Sequence, residues 1–210
     1  MKELNDLYQQ VAKLDHFPGK IAHKELSPLP MKSREIDYSE SGNYRIGAVI
    51  VLLYLKEKEP FFVLTQRHDY DGAHAGQISL PGGKLEEQDK STQDTALREM
   101  YEEIGISVQD VQIVSALTEL YIPPSNFLVY PYLGYVDGEL TFQKDDFEVK
   151  EVIEVPVKDL LRASIVRKPL LELASKVKYN KVCPCFEFDG KIVWGATAMI
   201  LNELKHILLK

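Results

Sequence analysis

The spacing of hydrophobic and polar positions changes several times along the chain, and each change marks a predicted element. Residues 45–55 (RIGAVIVLLYL) form a nearly continuous apolar run, which suits a central strand. A polar turn, KEKEP, separates this run from a second strand at residues 61–67 (FFVLTQR), so the two strands are predicted to form a hairpin. A shorter strand is predicted at residues 77–80, just before a Pro-Gly-Gly sequence.

The second half of the chain carries further patterns of both kinds. Strands are predicted at residues 111–120 (VQIVSALTEL), 126–136 (NFLVYPYLGYV) and 151–157 (EVIEVPV). Helices are predicted at residues 158–165 (KDLLRASI) and 197–209 (TAMILNELKHILL). Strands therefore precede and follow a central helix without regular β–α–β alternation. This order favours an α+β fold, a sandwich built on a central mixed sheet, over a doubly wound sheet.

The first 43 residues follow a different pattern. Residues 1–15 (MKELNDLYQQVAKLD) carry apolar residues at helical spacing and predict a peripheral amphipathic helix. Residues 17–42 are rich in Pro, Ser and charge, and predict an ordered arm that wraps the rest of the protein. The chain is therefore divided into an N-terminal helix and arm, 1–43, and one domain, 44–210.

The central helix has predicted ends and two predicted sides. Ser91 is placed to begin a capping box in which Asp94 substitutes for the usual Glu, and Gly105 is placed to end the helix. The side expected to face the core consists of Ala96, Leu97, Met100, Tyr101 and Ile104. The other side carries Arg98, Glu99, Glu102 and Glu103.

The carboxylates on the polar side need an explanation, because like charges three or four residues apart repel each other. One explanation is a solvated face with salt bridges to Arg98. The two glycines at 82–83 favour a second one, since consecutive glycines let the backbone approach a ligand and leave a carbonyl free to coordinate. Glu99 and Glu103, one helical turn apart, could then share a divalent cation, with Glu102 alongside. Oxygen ligands of this kind suit Mg²⁺ or Mn²⁺.

The same residues resemble the Nudix box, a motif of the form G-x5-E-x7-R-E-U-x-E-E-x-G-U in which U is apolar. The matching positions are Gly83, Arg98, Glu99, Met100, Glu102, Glu103, Gly105 and Ile106. The first acid is Asp89 instead of Glu, and it lies one residue farther from Arg98 than in the general pattern. This longer gap is similar to that of the coenzyme A pyrophosphatase branch, as is the run TALRE at residues 95–99.

An upstream segment, VLTQRHDYDGAHAGQISLPGG, is similar to a second pattern of that branch. The positions that agree are Leu64, Thr65, Arg67, Gly76, Pro81, Gly82 and Gly83. The segment departs from the pattern at His68, at Gly72, where the branch has Arg, and at Leu80, where it has Phe. With the later segments PSNFLVYP and KIVWGATAMIL, the resemblance covers about residues 45–201.

The resemblance implies a Nudix-like α/β/α sandwich in which the box forms a loop–helix–loop. It also implies Mg²⁺- or Mn²⁺-dependent hydrolysis of the diphosphate bond of coenzyme A (CoA) or its derivatives, giving 3′,5′-ADP and 4′-phosphopantetheine. The expected metal ligands are Glu99, Glu103, Glu102 and the Gly82 carbonyl. Glu102 could instead position the attacking water.

Arg98 completes the catalytic set that the resemblance implies, together with the three glutamates of the helix. Its expected role is to brace the loop through Asp89, and the alternative is a surface pair with Asp94. Candidate phosphate contacts near the glycines are Arg67, His74 and Lys84, since such side chains pair with phosphate; a plain surface position is the alternative for each.

The general base cannot be assigned from these patterns. Glu148 and Glu151 are candidates, because many Nudix proteins supply an acid from a late loop, and the alternative is a charged strand edge. Two other functions also stay open. One is hydrolysis of another nucleoside diphosphate, such as ADP-ribose or NADH, and the other is a ligand-binding Nudix module without catalysis. The intact set of carboxylates weighs against the second.

Composition narrows the expected partners. A formal net charge of -7 argues against binding to nucleic acid or to an anionic membrane, and no apolar run is long enough to span a membrane. Cys183 and Cys185 are interpreted as ordinary thiols of a cytoplasmic protein, because a lone C-x-C is weak evidence for a metal site. The expected partner is a small nucleoside diphosphate, and a homodimer is left open.

Overall fold

The computed structural model describes Val11 and residues 17–29, 44–68, 76–169 and 182–209. The amphipathic helix predicted near the N-terminus lies outside these residues, except for Val11, which is helical and buried. The second half of the predicted arm also lies outside the described residues.

Each strand and helix predicted beyond the arm has a counterpart in the structure. The strands are β1 Arg45–Lys56, β2 Glu59–Arg67, β3 Ile78–Ser79, β4 Gly82–Lys84, β5 Gln112–Ala116, β6 Leu120–Ile122, β7 Phe127–Tyr135, β8 Val149–Pro156, β9 Val166–Pro169, β10 Val182–Phe188 and β11 Lys191–Trp194. The α-helices are α1 Gly19–Leu26, α2 Thr92–Ile104, α3 Val157–Arg162 and α4 Gly195–Leu208. Helix α1 and strands β4, β9, β10 and β11 go beyond the sequence prediction.

Strand β1 is the central strand of the main sheet. It pairs antiparallel with β2 in the predicted hairpin, whose turn residues Glu57 and Lys58 have φ values of 52° and 68°. Positive φ at both central residues is what a tight two-residue hairpin turn requires. On its other side β1 runs parallel to β7. The strand order is β3-β2-β1-β7-β5, with β4 also on β1, β8 on β2 and β6 on β7, so the predicted mixed sheet is confirmed.

The side chains of β1 alternate between the two faces of the sheet, as successive strand residues must. Ala48, Ile50 and Leu52 pack in the core formed with α2. Val51 and Leu53 pack in a second core, formed with α4. Helices therefore cover both faces, and the predicted α+β sandwich with a central mixed sheet is confirmed.

The single strand predicted at residues 111–120 is wrong, because the segment forms two strands, β5 and β6, which both pair with β7. The interruption contains Thr118. Its backbone N–H and its hydroxyl donate to the Glu203 carboxylate, with N–O and O–O distances of 3.2 and 2.7 Å. A buried carboxylate on α4 thus takes the backbone donor that a continuous strand would use.

Part of the predicted arm is a helix, α1, which packs against α4. The Nε2 atom of His23 lies 3.0 Å from Oε2 of Glu203, and the two side chains are 1% and 0% exposed. Asn202 Nδ2 donates to the Ala22 carbonyl over 2.8 Å. This helix is therefore attached to the α4 side of the sandwich, and the division of the chain after residue 43 stays a prediction.

A small second sheet, of order β11-β10-β9, lies on the α4 side of the protein. Its central strand carries Cys183 and Cys185, which are both buried and form no disulfide bond. Phe186 and Phe188 of the same strand belong to the core shared with α4. Two thiols packed in this way agree with their interpretation as ordinary core residues.

Candidate functional site

Helix α2 begins and ends at the predicted residues. The Ser91 hydroxyl accepts a hydrogen bond from Asp94 N at 3.1 Å, and Gly105, at φ 72°, donates its N–H to the Tyr101 carbonyl at 2.9 Å. The predicted sides of the helix are wrong at two positions. Tyr101 is 56% exposed, whereas Glu103, predicted on the polar side, is only 3% exposed. The reason is that the glycine segment packs against the helix and covers Glu103.

The two glycines predicted in a loop form strand β4, which pairs antiparallel with β1. Gly82 has a φ of 148°, and a Cβ there would lie 2.3 Å from the Ala48 carbonyl oxygen. A Cβ on Gly83 would lie 2.3 Å from the carboxyl carbon of Glu99. Only glycine fits at Gly82, because the nearest atoms belong to the backbone of β1, whereas a side chain on Gly83 would displace the Glu99 carboxylate. The close fit brings backbone atoms directly against the carboxylates of the helix.

Glu103 is buried beside this strand, and its Oε2 accepts a hydrogen bond from Gly82 N at 3.2 Å. Burial raises the pKa of Glu103 to about 8, and the charges of Glu99 and Glu148 act in the same direction. The hydrogen bond from Gly82 N and the charge of Arg67 do not offset the cost of burying this negative charge. The carboxylate is therefore expected to bind either a proton or a nearby cation.

Arg98 connects the helix to the loop that follows β4. Its Nε and Nη2 atoms donate to the two carboxylate oxygens of Asp89 at 2.8 and 2.9 Å, and Nη2 also donates to the Lys84 carbonyl at 3.1 Å. Hydrogen bonds from Arg98 hold the pKa of Asp89 well below its usual range. Of the two alternatives, Arg98 therefore pairs with Asp89 and not with Asp94. The paired geometry fixes the loop as well as balancing its charge.

The third guanidinium nitrogen of Arg98, Nη1, donates to Glu99 at 2.9 Å and to Glu102 at 2.8 Å. The two glutamate side chains differ in exposure, at 14% for Glu99 and 54% for Glu102. Burial raises the pKa of Glu99, although hydrogen bonding and charge from Arg98 oppose this effect. Glu99 thus faces the interior of the site, while Glu102 lies at its solvent edge.

The carboxylates of α2 are candidate ligands for a divalent cation. Within the described parts of the chain, no three His, Cys, Asp or Glu side chains are placed so that they could hold a metal ion together. Glu99 and Glu103 nevertheless fit as a pair, because they offer carboxylate oxygens and β4 leaves room for them. A pair of this kind suits Mg²⁺, which usually completes its shell with water and substrate phosphates. The roles of Glu99, Glu103, Glu102 and the Gly82 carbonyl as ligands all stay predictions.

The candidate phosphate contacts fall in three different situations. Arg67, at the end of β2, lies close enough to Glu103 for its charge to favour the ionised carboxylate. The Nε atom of Arg67 is buried, and no described residue accepts a hydrogen bond from it. Lys84 is exposed on β4 and its carbonyl is bound by Arg98. His74 lies outside the described residues. Of the three candidates, Arg67 lies near the buried carboxylate Glu103, and Lys84 is joined to Arg98 through its backbone carbonyl.

The two late acids occupy different environments. Glu151 pairs with Lys191 of β11. Glu148 lies in the turn before β8, and its charge acts on Glu103. This turn is bound to the end of α2, because Asp145 N donates to the Glu103 carbonyl at 3.0 Å. Sequence reasoning missed that contact, for which the acidic, turn-forming run KDDFE is the only local signal.

Known proteins show the same sequence features. A family model described as NUDIX domain matches residues 44–174. A protein of Yersinia enterocolitica, "Uncharacterized Nudix hydrolase NudL", is 34% identical over 166 residues, which are 79% of this chain and 83% of its own length. The Yersinia pestis protein of the same name is 32% identical over 178 residues, which are 84% of this chain and 87% of its own length.

A solved structure shows the same fold over most of the chain. The crystal structure of a MutT/nudix family protein from Enterococcus faecalis covers 93% of this chain and 76% of its own, with a TM-score of 0.53 and 17% identity. At this identity the similarity concerns the fold alone, and it agrees with the predicted Nudix-like sandwich. None of the helices in the described residues is both long and apolar enough to cross a membrane.

Proposed function

The chain belongs to the Nudix family of hydrolases, and on that premise we propose that it hydrolyses the diphosphate bond of CoA or of a CoA derivative. The products are 3′,5′-ADP and 4′-phosphopantetheine. The observation that carries the proposal is the contact between α2 and β4, where the carboxylates of Glu99 and Glu103 lie against the backbone of Gly83 and Gly82. This contact supports the binding of a compact, highly charged group close to the backbone.

Nudix hydrolases generally use divalent cations, and the proposed cofactor here is Mg²⁺ or Mn²⁺. Glu99 and Glu103 would hold the ion, with Glu102 and the Gly82 carbonyl as further candidate ligands. When bound, the cation supplies charge neutralisation at the diphosphate and lowers the pKa of a water molecule.

The residues of the chain supply orientation and proton transfer around that group. Arg98 holds the loop of Asp89 against α2, so the carboxylates keep a fixed position relative to β4. Arg67 is the proposed phosphate contact, since binding a phosphate oxygen would compensate a guanidinium whose Nε has no partner among the described residues. Glu148 is the proposed general base, because it lies by the carboxylate pair while Glu151 is engaged by Lys191.

The choice of CoA rests on the two sequence patterns of the CoA pyrophosphatase branch. One departure favours a second candidate, ADP-ribose or a dinucleotide such as NADH. CoA carries a 3′-phosphate that these molecules lack, and the branch has an arginine where this chain has Gly72. Losing a charge-assisted hydrogen bond costs about 1.5–3 kcal/mol. Recognition of CoA would then depend on other cations, with Arg67 as the first candidate.

The proposal is tested by incubating the protein with CoA, dephospho-CoA, ADP-ribose and NADH in the presence of Mg²⁺ or Mn²⁺. The products are identified by mass spectrometry, and kcat/KM is measured for each substrate. We expect the highest kcat/KM for CoA, and no turnover of any substrate in excess EDTA. A preference of tenfold or more for ADP-ribose would replace the CoA assignment by the second candidate. Tight binding without turnover would instead indicate a ligand-binding module. The cytoplasmic location and the homodimer stay predictions.

A further inference from the structure

The turn between β7 and β8 holds an aromatic side chain in solvent. Phe147 is 93% exposed, the highest value among the large hydrophobic residues that the structure describes. Single exposed apolar residues are common on proteins, so exposure alone does not indicate a binding site. The position of Phe147 and the fixed geometry of its turn distinguish it from such residues.

The turn has little freedom to move. The Asp145 carboxylate accepts hydrogen bonds from Phe147 N at 2.6 Å and Glu148 N at 3.0 Å, and the Asp145 carbonyl accepts Val149 N at 2.9 Å. The Lys144 ammonium donates to the Val149 carbonyl at 3.1 Å. The backbone of Phe147 is therefore fixed although its ring contacts almost nothing.

The turn is also attached directly to α2. Gln143 N donates to the Ile104 carbonyl and Asp145 N to the Glu103 carbonyl, both at 3.0 Å. These two bonds join the turn to the last residues of the helix that carries the carboxylate pair. The distance between Phe147 and the site is therefore set by backbone hydrogen bonds.

The neighbours of Phe147 lie on the rim of the site. Glu148 is close enough for its charge to act on Glu99 and Glu103. On the other side, Asp146 interacts electrostatically with His68, which follows β2. In the chain, Phe147 is therefore flanked by one residue whose charge acts on the carboxylate pair and by one that interacts with the residue after β2.

We propose that Phe147 is the platform on which the adenine base of the substrate stacks. This inference rests on the proposed hydrolysis of an adenine-containing diphosphate. Glu148 repels phosphate and Asp146 is already paired with Lys144, so the uncharged ring system is the part of the substrate that this rim can best accept. A second copy of the chain is a poor occupant, because one side chain supplies far less area than the ~800 Å² per partner of a stable interface.

The test compares Phe147→Ala, Phe147→Leu and Phe147→Trp with Ile21→Ala as a matched control. Ile21 is also exposed, at 74%, but lies on α1. For each variant, kcat and KM are measured with CoA, and the binding of 5′-AMP and of ribose 5-phosphate is measured by calorimetry. Because 5′-AMP is the adenine part shared by CoA, ADP-ribose and NADH, its binding tests the platform whichever of these is the substrate.

We expect Phe147→Ala to raise KM for CoA and the Kd of 5′-AMP about tenfold, the usual effect of removing a stacked aromatic ring. The kcat value and the affinity for ribose 5-phosphate should not change. Phe147→Trp should retain the affinity for 5′-AMP and Phe147→Leu should lose it, while Ile21→Ala should match the unaltered protein. Equal 5′-AMP affinity in all variants would overturn the platform and leave the hydrolase proposal standing. A dimer that depends on Phe147 in analytical ultracentrifugation would have the same consequence. Failure to cleave CoA, with the 5′-AMP effects intact, would overturn only the substrate.

Discussion

Two buried glutamates, one on each of the helices α2 and α4, lie on opposite faces of the same sheet and have different hydrogen-bond partners. Glu203 on α4 accepts hydrogen bonds from the backbone N–H and hydroxyl of Thr118 and lies 3.0 Å from His23. Glu103 on α2 accepts its hydrogen bond from Gly82 N, and its pKa is raised to about 8, first of all by burial. The comparison separates two uses of a buried acid. Glu203 is compensated inside the protein, whereas Glu103 is left ready for a proton or a ligand.

The variant Glu103→Gln tests the proposed role of Glu103 most directly. The amide oxygen can still accept the Gly82 hydrogen bond, so the fold should persist, but the negative charge is lost. We expect hydrolysis to fall by about a hundredfold or more, the usual cost of losing a key electrostatic group. Steady-state kinetics and thermal unfolding measure the two effects. Turnover like that of the unaltered protein would contradict the assignment of Glu103.

The second prediction concerns the two late acids. Glu148→Gln should lower kcat by about a hundredfold, the lower end of the usual contribution of a general base, with a smaller effect on KM. Glu151→Gln should lower kcat little, because the Glu151 carboxylate is already paired with Lys191. Pre-steady-state kinetics of both variants would separate chemistry from product release. The assignment is wrong if the larger loss appears in Glu151→Gln.

Glu203→Gln should show the opposite profile to Glu103→Gln. Removing one member of a buried hydrogen-bond network typically costs about 1–3 kcal/mol in the free energy of unfolding, because the remaining partners are left unsatisfied. We expect this loss in urea unfolding, with kcat/KM per folded molecule unchanged. Glu59→Gln is a useful control, since Glu59 pairs with Lys158 at an exposed position and should cost little. A drop in kcat/KM with intact stability would assign Glu203 to the site instead.

The smallest expected effect is stabilisation by the metal alone. An ion present at about one hundred times its Kd stabilises the folded state by about 2.7 kcal/mol. Mg²⁺ or Mn²⁺ should therefore raise the unfolding temperature of the unaltered protein and of Glu203→Gln by similar amounts. The rise should be smaller for Glu103→Gln. Equal stabilisation of all three proteins would place the ion away from Glu103.

Much of the site could be predicted from local pattern. The hairpin of β1 and β2 and the ends of α2 at Ser91 and Gly105 depend on residues that are close in sequence. Such features follow from turn chemistry, capping and hydrophobic spacing, which act over a few residues. The pairing of Arg98 with Asp89 was one of two alternatives, and the structure decided between them.

Other features depended on contacts between distant parts of the chain. The burial of Glu103 and the exposure of Tyr101 depend on how β4 packs against α2, which helical spacing alone does not reveal. The break at Thr118 depends on a carboxylate 85 residues away, and the environment of Glu148 depends on a turn bound to the end of α2.

Local patterns in the sequence were therefore enough to predict the hairpin, the ends of α2 and the residue types that could serve a diphosphate hydrolase. Only the tertiary structure decided which of those carboxylates is buried and under-compensated, and which are held by Arg98 or Lys191. The physical reason is that desolvation and charge compensation depend on everything packed around a group. Residue type and spacing describe only the segment to which the group belongs.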